Sequence, residues 1–391
     1  MAPYPNWITI NLDHLLHNIS ELKSLLDPNC KFLFPVKADA YGHGSLACSF
    51  AAHKAGVNGL GVAHLFEGVA IRQYGSLQEI LVMGPLTAAD FDTCLKYQLT
   101  PTITRIDIAR LFETFLQTRG VTQRVHLKLD TGMSRYGFRY DSIDEIREIL
   151  EYSHVKVDGI FSHLACADQS DHSLNQIQIK RFQEFQSKIE APPELFHLAN
   201  SAGMLNFKDS HMNMVRPGLS CYGYYPNDDL RDLINLKPVM KLEATVRETH
   251  QVTAGNGVSY GHQWIAQTDT FVASVAIGYG DGYRRNFKET PRVSINGELC
   301  PIVGAICMDT ILVNITHLST PPVAGSIVII IDGESHEELS IESVAKSMGT
   351  IPYELTCGVA RRLQRKYIWR GQILLWKELK SQLGIVVPNE N

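Results

Sequence analysis

The stretch L-F-P-V-K-A-D-A-Y-G-H-G at residues 33–44 joins an apolar run to a cluster of polar residues and glycines. The run Leu33 to Val36 predicts a short buried strand, and Lys37 follows at its carboxyl end. Similar apolar runs alternate with amphipathic helical patterns as far as Gly218. The first half of the chain is therefore predicted to repeat a strand and a helix.

The number of these runs indicates a barrel. The eight predicted strands are Leu33 to Val36, Gly59 to Ala63, Glu79 to Gly84, Leu99 to Thr104, Arg124 to Asp130, Val157 to His163, Leu195 to Ala199 and Asn213 to Arg216. Eight strands, most of them followed by a helical pattern, match a (β/α)8 TIM-type barrel. This number is larger than the number of strands in one mononucleotide-binding half. A doubly wound open sheet is the alternative fold.

The sequence pattern changes after Pro226. The segment Asn227 to Pro238 predicts a connection, and alternating runs rich in β-branched residues follow it. Asn296-Gly297 lies between two such runs and predicts a hairpin, because a type I′ turn needs positive φ at both central residues. We therefore predict a barrel domain at residues 1–235 and a mostly β domain at residues 236–391.

Composition and charge exclude several kinds of protein. The 391 residues contain 36 Lys and Arg against 41 Asp and Glu, and this net charge of -5 gives no general attraction for nucleic acid or anionic membranes. No run of apolar residues is long enough to predict a membrane span, and the eight scattered cysteines form no Cys-x-x-Cys pair. We expect a cytoplasmic protein with reduced thiols, no nucleic-acid or membrane partner, and no catalytic metal, since no metal-ligand motif is recognised.

The candidate site residues follow the predicted strands, because a barrel binds its substrate at the carboxyl ends of its strands. These ends carry Lys37, Lys128 with Arg135 beyond it, His163, Ser201, Arg216 and Gly218. Burial and nearby cations lower the pKa of a lysine, whose neutral amine can then react with an aldehyde. Ser201 and Gly218 lie where barrels often bind phosphate, so the combination indicates pyridoxal 5′-phosphate. Each of these residues taken singly also has an ordinary structural interpretation. Lys37 can be an exposed lysine, and His163 can be a core histidine. Arg216 and Lys128 can equally be charges at the rim of the barrel.

Seven segments together resemble the alanine racemase family of fold-type III pyridoxal-phosphate enzymes. They are V-K-A-D-A-Y-G-H-G, L-K-L-D-T-G-M-S-R-Y-G, H-L-A-N-S-A, M-V-R-P-G-L-S-C-Y-G, V-S-Y-G, G-Y-G-D-G-Y and C-M-D. The resemblance implies an N-terminal (β/α)8 barrel, a C-terminal β domain and a homodimer with shared active sites. It also implies interconversion of L-alanine and D-alanine, with D-alanine supplied for peptidoglycan synthesis. The chain departs from the family at Leu363-Gln364, where members commonly have Val-Pro.

The resemblance assigns two bases to the reaction. Lys37 matches the lysine that holds the cofactor covalently and, once released, acts as the base on the D-alanine side. Tyr260 matches the opposing base on the L-alanine side, which the other subunit supplies; otherwise it is a packed strand tyrosine. Inversion of a stereocentre through a planar carbanion requires proton exchange at both faces, so two opposed bases are needed.

The resemblance also assigns the residues around the cofactor. Arg216 matches the arginine that faces the pyridine nitrogen; because a guanidinium only donates, it keeps that nitrogen unprotonated and favours racemisation over transamination. His163 matches a residue hydrogen-bonded to that arginine, and Arg135 matches the residue that faces the phenolic oxygen and the substrate carboxylate. Lys128 matches a lysine that is often carbamylated. The remaining matches are the phosphate contacts Tyr41, Ser201, Gly218 and Tyr353, and the backbone of Met308 from the partner subunit, which contacts the substrate carboxylate.

Two other functions are compatible with parts of this pattern. A fold-type III amino-acid decarboxylase would also use a barrel lysine, but it should lack an arginine at the pyridine nitrogen, so Arg216 argues against it. A non-enzymatic pyridoxal-phosphate carrier would need neither a β domain nor a second base. The residues beyond Pro238, with Tyr260 among them, argue against a carrier.

Overall fold

The computed structural model describes residues 4–383 and residue 385. The contacts between residues divide this part of the chain into two units. The barrel unit comprises residues 15–40 and 44–236 with residues 383 and 385, and the β unit comprises residues 4–14, 41–43 and 237–382. The first residues thus group with the β unit, and the domain boundary at residues 235 and 236 stays a prediction.

Eight parallel strands form the closed barrel, which confirms the predicted fold. They are Lys31–Pro35, Gly59–Val62, Glu79–Pro85, Thr100–Ile103, Gln123–Asp130, Val155–Phe161, Leu195–His197 and Met214–Val215. Each strand pairs with the next in this order, and the last pairs with the first. The short strand Phe138–Arg139 is added beside the fifth barrel strand. Each of the eight predicted strands overlaps an observed one.

Helices cover the outside of the barrel, and the strands are therefore buried on both faces. Besides the left-handed turn Lys37–Tyr41, the α-helices up to residue 206 are Leu12–Ser24, Ser45–Lys54, Leu65–Gln73, Phe91–Lys96, Ile106–Arg119, Ile143–Leu150, Leu174–Ser187 and Ser201–Asn206. Helix Ile106–Arg119 is typical: Ala109, Phe112 and Leu116 bury one face, and the helix ends at Gly120, whose φ of 63° suits glycine. Among the described residues, none of the helices is long and apolar enough to cross a membrane.

The β unit is built around a mostly antiparallel sheet and also contains a separate two-stranded sheet. Its strands are Asn6–Asn11, Met240–Val252, Gly257–Val258, Trp264–Ile265, Thr270–Val275, Arg292–Ile295, Glu298–Pro301, Ile311–Asn314, Ile327–Ile331, Gln364–Trp369 and Gln372–Leu375. Its α-helices are Ile341–Ser347, Pro352–Cys357 and Trp376–Leu383. The hairpin predicted at Asn296-Gly297 is confirmed, with φ of 54° and 84° at the two turn residues. Strand Asn6–Asn11 pairs antiparallel with Met240–Val252 and parallel with Gln364–Trp369.

Candidate active site

Lys37 follows the first barrel strand and opens a left-handed turn. Residues 38–40 have φ between 52° and 54°, a region that costs a residue with a Cβ about 1–2 kcal/mol. Glu67 holds this turn: its Oε1 accepts a hydrogen bond from the Ala38 backbone N–H at 2.6 Å, and its Oε2 accepts one from the Ala63 N–H at 2.7 Å. Because the surrounding contacts maintain the strained turn, they fix the direction in which the chain leaves the strand after Lys37.

Arg216 follows the last barrel strand and is 4% exposed. Its Nη2 donates to the carbonyl oxygens of Ser162 at 2.6 Å and Leu198 at 3.1 Å. Its Nη1 lies 2.9 Å from His197 Nδ1, and its Nη2 lies 3.3 Å from His163 Nδ1. Since a guanidinium offers only donors, both Nδ1 atoms must accept, and each neutral imidazole carries its proton on Nε2.

A second buried histidine continues this hydrogen-bond chain into the barrel. His197 Nε2 lies 2.8 Å from His126 Nδ1, and because His197 carries its proton on Nε2, it donates to His126. Burial, opposed by the charge of Asp158, lowers the pKa of His126 to about 4, and burial followed by the charge of Arg216 lowers the pKa of His197. Both imidazoles are therefore neutral at pH 7. The chain runs in one direction, from Arg216 through His197 to His126.

Two carboxylates lie near His126, where this series of hydrogen bonds ends. Glu79, His126 and Asp158 each place a side-chain nitrogen or oxygen within 4.8 Å of the others. His126 Nε2 is buried and has no hydrogen-bond partner among residues 4–383. The chain of donors puts a proton on that nitrogen, whereas a metal ligand must present a bare nitrogen. The protonation of His126 Nε2 therefore argues against a metal ion bound by these three residues.

Lys128 lies on the fifth barrel strand and is 4% exposed. Its Nζ is 4.6 Å from the centre of the Phe161 ring. Burial and the charges of Arg216 and Arg135 lower its pKa well below the ordinary value, and Asp130 only partly opposes them. Such a lysine offers a neutral, nucleophilic amine.

The charges that act on His163 show which predicted residues lie together in the barrel unit. Burial lowers the pKa of His163, and the charges of Arg216, Lys128, Lys37 and Arg135 lower it further. Lys37, Lys128, Arg135 and Arg216 therefore lie close enough to act on this imidazole. Arg135 differs from the other three in being exposed.

Ser201 begins the helix that follows the seventh barrel strand, Gly218 lies in the loop after the eighth, and both residues are buried. Ser201 Oγ accepts a hydrogen bond from the Ser220 backbone N–H at 3.1 Å, which joins the two loops. A Cβ at Gly203 would come 2.8 Å from Leu164 Cδ1, so glycine allows the turn after Ser201 to pack closely. These small residues leave hydroxyl and N–H groups where a phosphate can approach.

The other four predicted site residues belong to the β unit. The rings of Tyr41 and Tyr353 lie 5.7 Å apart between centroids. Tyr260 is 70% exposed and Met308 is 52% exposed. Lys37 and Tyr260, the two predicted bases, thus lie in different units of the chain.

Sequence models of two domains match most of the chain. The model of the alanine racemase N-terminal domain matches residues 10–226, and that of the C-terminal domain matches residues 239–367. The chain belongs to the alanine racemase family. The predicted family and the predicted class of enzyme, an amino-acid racemase, are confirmed.

Individual alanine racemases resemble the chain over nearly its whole length. That of Nostoc sp. is 38% identical over 367 residues, which are 92% of this chain and 95% of the relative. That of Desulforamulus reducens is 35% identical over 370 residues, or 93% of this chain and 99% of the relative. Among solved structures, alanine racemase of Clostridium difficile 630 has a TM-score of 0.90 and 35% identity, covering 96% of this chain and 98% of that one. Alanine racemase of Bartonella henselae, with covalently bound pyridoxal phosphate, has a TM-score of 0.86 and 27% identity, covering 94% of this chain and 100% of that one.

The alanine racemases of this family use pyridoxal phosphate, and the charges in the barrel unit fit that cofactor. The charges acting on the buried Lys128 include two guanidinium groups but only one carboxylate, that of Asp130. The buried guanidinium of Arg216 and the exposed guanidinium of Arg135 together outweigh this carboxylate, and the anionic phosphate and phenolic oxygen of the cofactor would balance them. Arg216 presents a donor to an acceptor such as a pyridine nitrogen. The enzyme is accordingly a pyridoxal-phosphate-dependent alanine racemase.

Sequence reasoning did not single out His126 and His197 in this alanine racemase. His126 precedes Lys128 by two residues on one strand, so alternation places both side chains on the same face. This spacing is the sequence signal that points to His126. His197 begins the family segment H-L-A-N-S-A, but the resemblance assigned it no role, and in its strand L-F-H a buried histidine is indistinguishable from any other core residue.

Proposed function

We propose that this racemase inverts alanine with two opposed bases, Lys37 and Tyr260, and that Tyr260 comes from a second copy of the chain. The exposure of Tyr260, 70%, is the observation that supports the proposal most directly. A base must reach within hydrogen-bond distance of the proton it removes and act away from bulk water. A homodimer, in which residues 236–391 complete the barrel site of the partner at residues 1–235, provides this environment.

In the proposed site, Lys37 binds the cofactor, and Tyr41, Ser201, Gly218 and Tyr353 hold its phosphate. Pyridoxal phosphate, when bound, draws electron density from the α-carbon and makes its proton removable. The Lys37 amine removes or returns the α-proton on the D-alanine face. On the L-alanine face the Tyr260 phenolate removes the α-proton, and the resulting hydroxyl returns it.

Arg216 selects the reaction in this proposal. Its guanidinium donates to the pyridine nitrogen and leaves it unprotonated, which limits electron withdrawal and favours return of the proton to the α-carbon. His163 and His197 accept hydrogen bonds from Arg216 at 3.3 Å and 2.9 Å and hold its plane in place.

Arg135 and the backbone of the partner's Met308 bind the substrate carboxylate. The neutral amine of Lys128, produced by burial and the neighbouring arginines, supports its carbamylation. The resulting anion pairs with Arg135 and holds it toward the substrate.

Alanine is the proposed substrate, and D-alanine for peptidoglycan synthesis is its proposed product. Alanine racemase of Clostridium difficile 630 is known in complex with cycloserine and that of Bacillus anthracis with bound L-Ala-P, which supports a site of alanine size. The eight cysteines are free thiols, which supports a reducing, cytoplasmic location.

Mixing two inactive variants tests the shared site. Lys37→Ala and Tyr260→Ala chains are purified separately, combined in equal amounts and allowed to exchange subunits. Random pairing makes about half of the dimers mixed, and each mixed dimer has one intact site, so about one quarter of wild-type activity returns. Activity that stays at the level of the separate variants, despite exchange verified with tagged chains, contradicts the proposal.

A further inference from the structure

Ser259, the residue before Tyr260, has a backbone conformation that is almost restricted to glycine. Its φ is 63° and its ψ is -169°, a combination that brings a Cβ close to the neighbouring backbone. Such strain persists only where surrounding contacts maintain it, and it occurs mainly at functional sites. A glycine at this position would remove the strain. The feature that serine has and glycine lacks is a hydroxyl that can form hydrogen bonds.

The hydroxyl ties the Tyr260 loop to a second loop of the β unit. Ser259 Oγ donates to the Ala305 carbonyl oxygen at 2.6 Å, and Cys307 Sγ lies 3.3 Å from the same Oγ. The two loops also touch through their backbones, since a Cβ at Gly304 would come 2.5 Å from the Val258 carbonyl oxygen. The Ser259 hydroxyl therefore contacts Ala305 and Cys307, the two residues that flank residue 306 in the second loop.

The second loop carries Met308, whose own backbone is held in place. The Met308 carbonyl oxygen accepts a hydrogen bond from the Gly280 N–H at 2.8 Å, and the Cys307 N–H donates to the Thr310 carbonyl at 2.9 Å. These two backbone hydrogen bonds hold the loop that carries Met308 in place, and this loop can serve as a support for the residues bound to it. Tyr260 is fixed to this support through its neighbour Ser259, while its own side chain remains largely exposed.

We propose that Ser259 is a positioning residue that fixes the Tyr260 hydroxyl relative to the Met308 backbone. This inference rests on the proposed role of Tyr260 as the base on the L-alanine face. The base and a carboxylate-binding group then enter the partner's site as one rigid pair. Loss of the hydroxyl lets Tyr260 move while Lys37, on the other face, is unaffected.

Hydrogen exchange during turnover separates the two faces. In D2O, Lys37 carries deuterons; it takes the α-proton of D-alanine as the C–H bond breaks and returns a deuteron to the same face. Deuterium found in D-alanine therefore reports the Lys37 half, and formation of L-alanine requires Tyr260 as well. We expect Ser259→Ala to lower inversion by about 10- to 100-fold, as for a displaced catalytic group, and to leave deuterium incorporation within about twofold.

A second measurement, independent of turnover, tests the strain. Ser259→Gly lacks the hydroxyl but also lacks the strained Cβ, so its midpoint for unfolding in urea should lie above that of Ser259→Ala. Its inversion rate should be as low as that of Ser259→Ala. Asn296→Ala is the matched control, since it places an alanine at a positive φ in a hairpin turn that contains none of the proposed site residues. It should keep both rates.

The outcomes distinguish the inference from the proposed function beneath it. Tyr260→Phe should lose inversion and keep deuterium exchange into D-alanine. If Tyr260→Phe inverts alanine normally, the assignment of Tyr260 as a base is wrong, and the inference about Ser259, which depends on it, is wrong as well. If Tyr260→Phe is blocked but Ser259→Ala shows an unchanged ratio of exchange to inversion, or Ser259→Gly restores inversion, the inference alone is wrong.

Discussion

The neutral His126 makes the barrel sensitive to acid, and the size of the effect follows from its pKa. Burial lowers this pKa from 6.5 to about 4, and a second proton on Nδ1 would also face the His197 Nε2–H. The unfolded chain binds the proton below about pH 6.5, whereas the folded chain binds it only near pH 4. The free energy of unfolding therefore decreases as the pH falls from about 6.5 to about 4. The decrease is about 3 kcal/mol over the whole range and about 2 kcal/mol by pH 5.

His126→Gln removes the titrating group but keeps the hydrogen bond, since the glutamine Oε1 can accept from His197 Nε2. Urea unfolding of the cofactor-free protein, followed by circular dichroism at pH 7.5 and pH 5, gives the free energy of unfolding for wild type and variant. We expect the loss between these pH values to be about 2 kcal/mol smaller in His126→Gln. His53→Gln, which replaces an exposed histidine, is the control and should follow the wild type. An unchanged pH dependence in His126→Gln would refute a neutral His126 in the folded protein.

Three further predictions concern the cofactor site. Borohydride reduction of the wild-type enzyme should attach the cofactor to Lys37, as read by peptide mapping, and Lys37→Ala should lose that adduct; an adduct on another lysine would show that the site is wrongly assigned. Arg216→Glu should lower racemisation and raise transamination to the keto acid relative to it, because a carboxylate favours a protonated pyridine nitrogen; an unchanged product ratio would place Arg216 away from the ring. Wild-type enzyme in 13C-bicarbonate should give a carbamate carbon signal that Lys128→Arg lacks, and a signal that persists in this variant would assign the carbamate elsewhere.

The sequence by itself determined the barrel and its strand ends. Apolar runs and helical periodicity are local properties, so each barrel strand could be found from a few neighbouring residues. In a parallel barrel all strand ends meet at one mouth, which is why Lys37, Lys128, His163 and Arg216 could be grouped before any contact was known. The turn at Asn296-Gly297 was equally readable, because two adjacent residues set its φ angles.

Only the tertiary structure decided the contacts that act on these residues. His126 and His197 are 71 positions apart, and neither the bond between their rings nor the direction of its proton follows from their local sequence. Strand Asn6–Asn11 joins a sheet with residues beyond Met240, although it precedes the barrel. The positive φ of Ser259 likewise depends on a hydrogen bond to Ala305 in another loop. Such features arise from pairing and burial between distant segments, and the energy of a buried proton or a strained residue depends on neighbours that chain order does not specify.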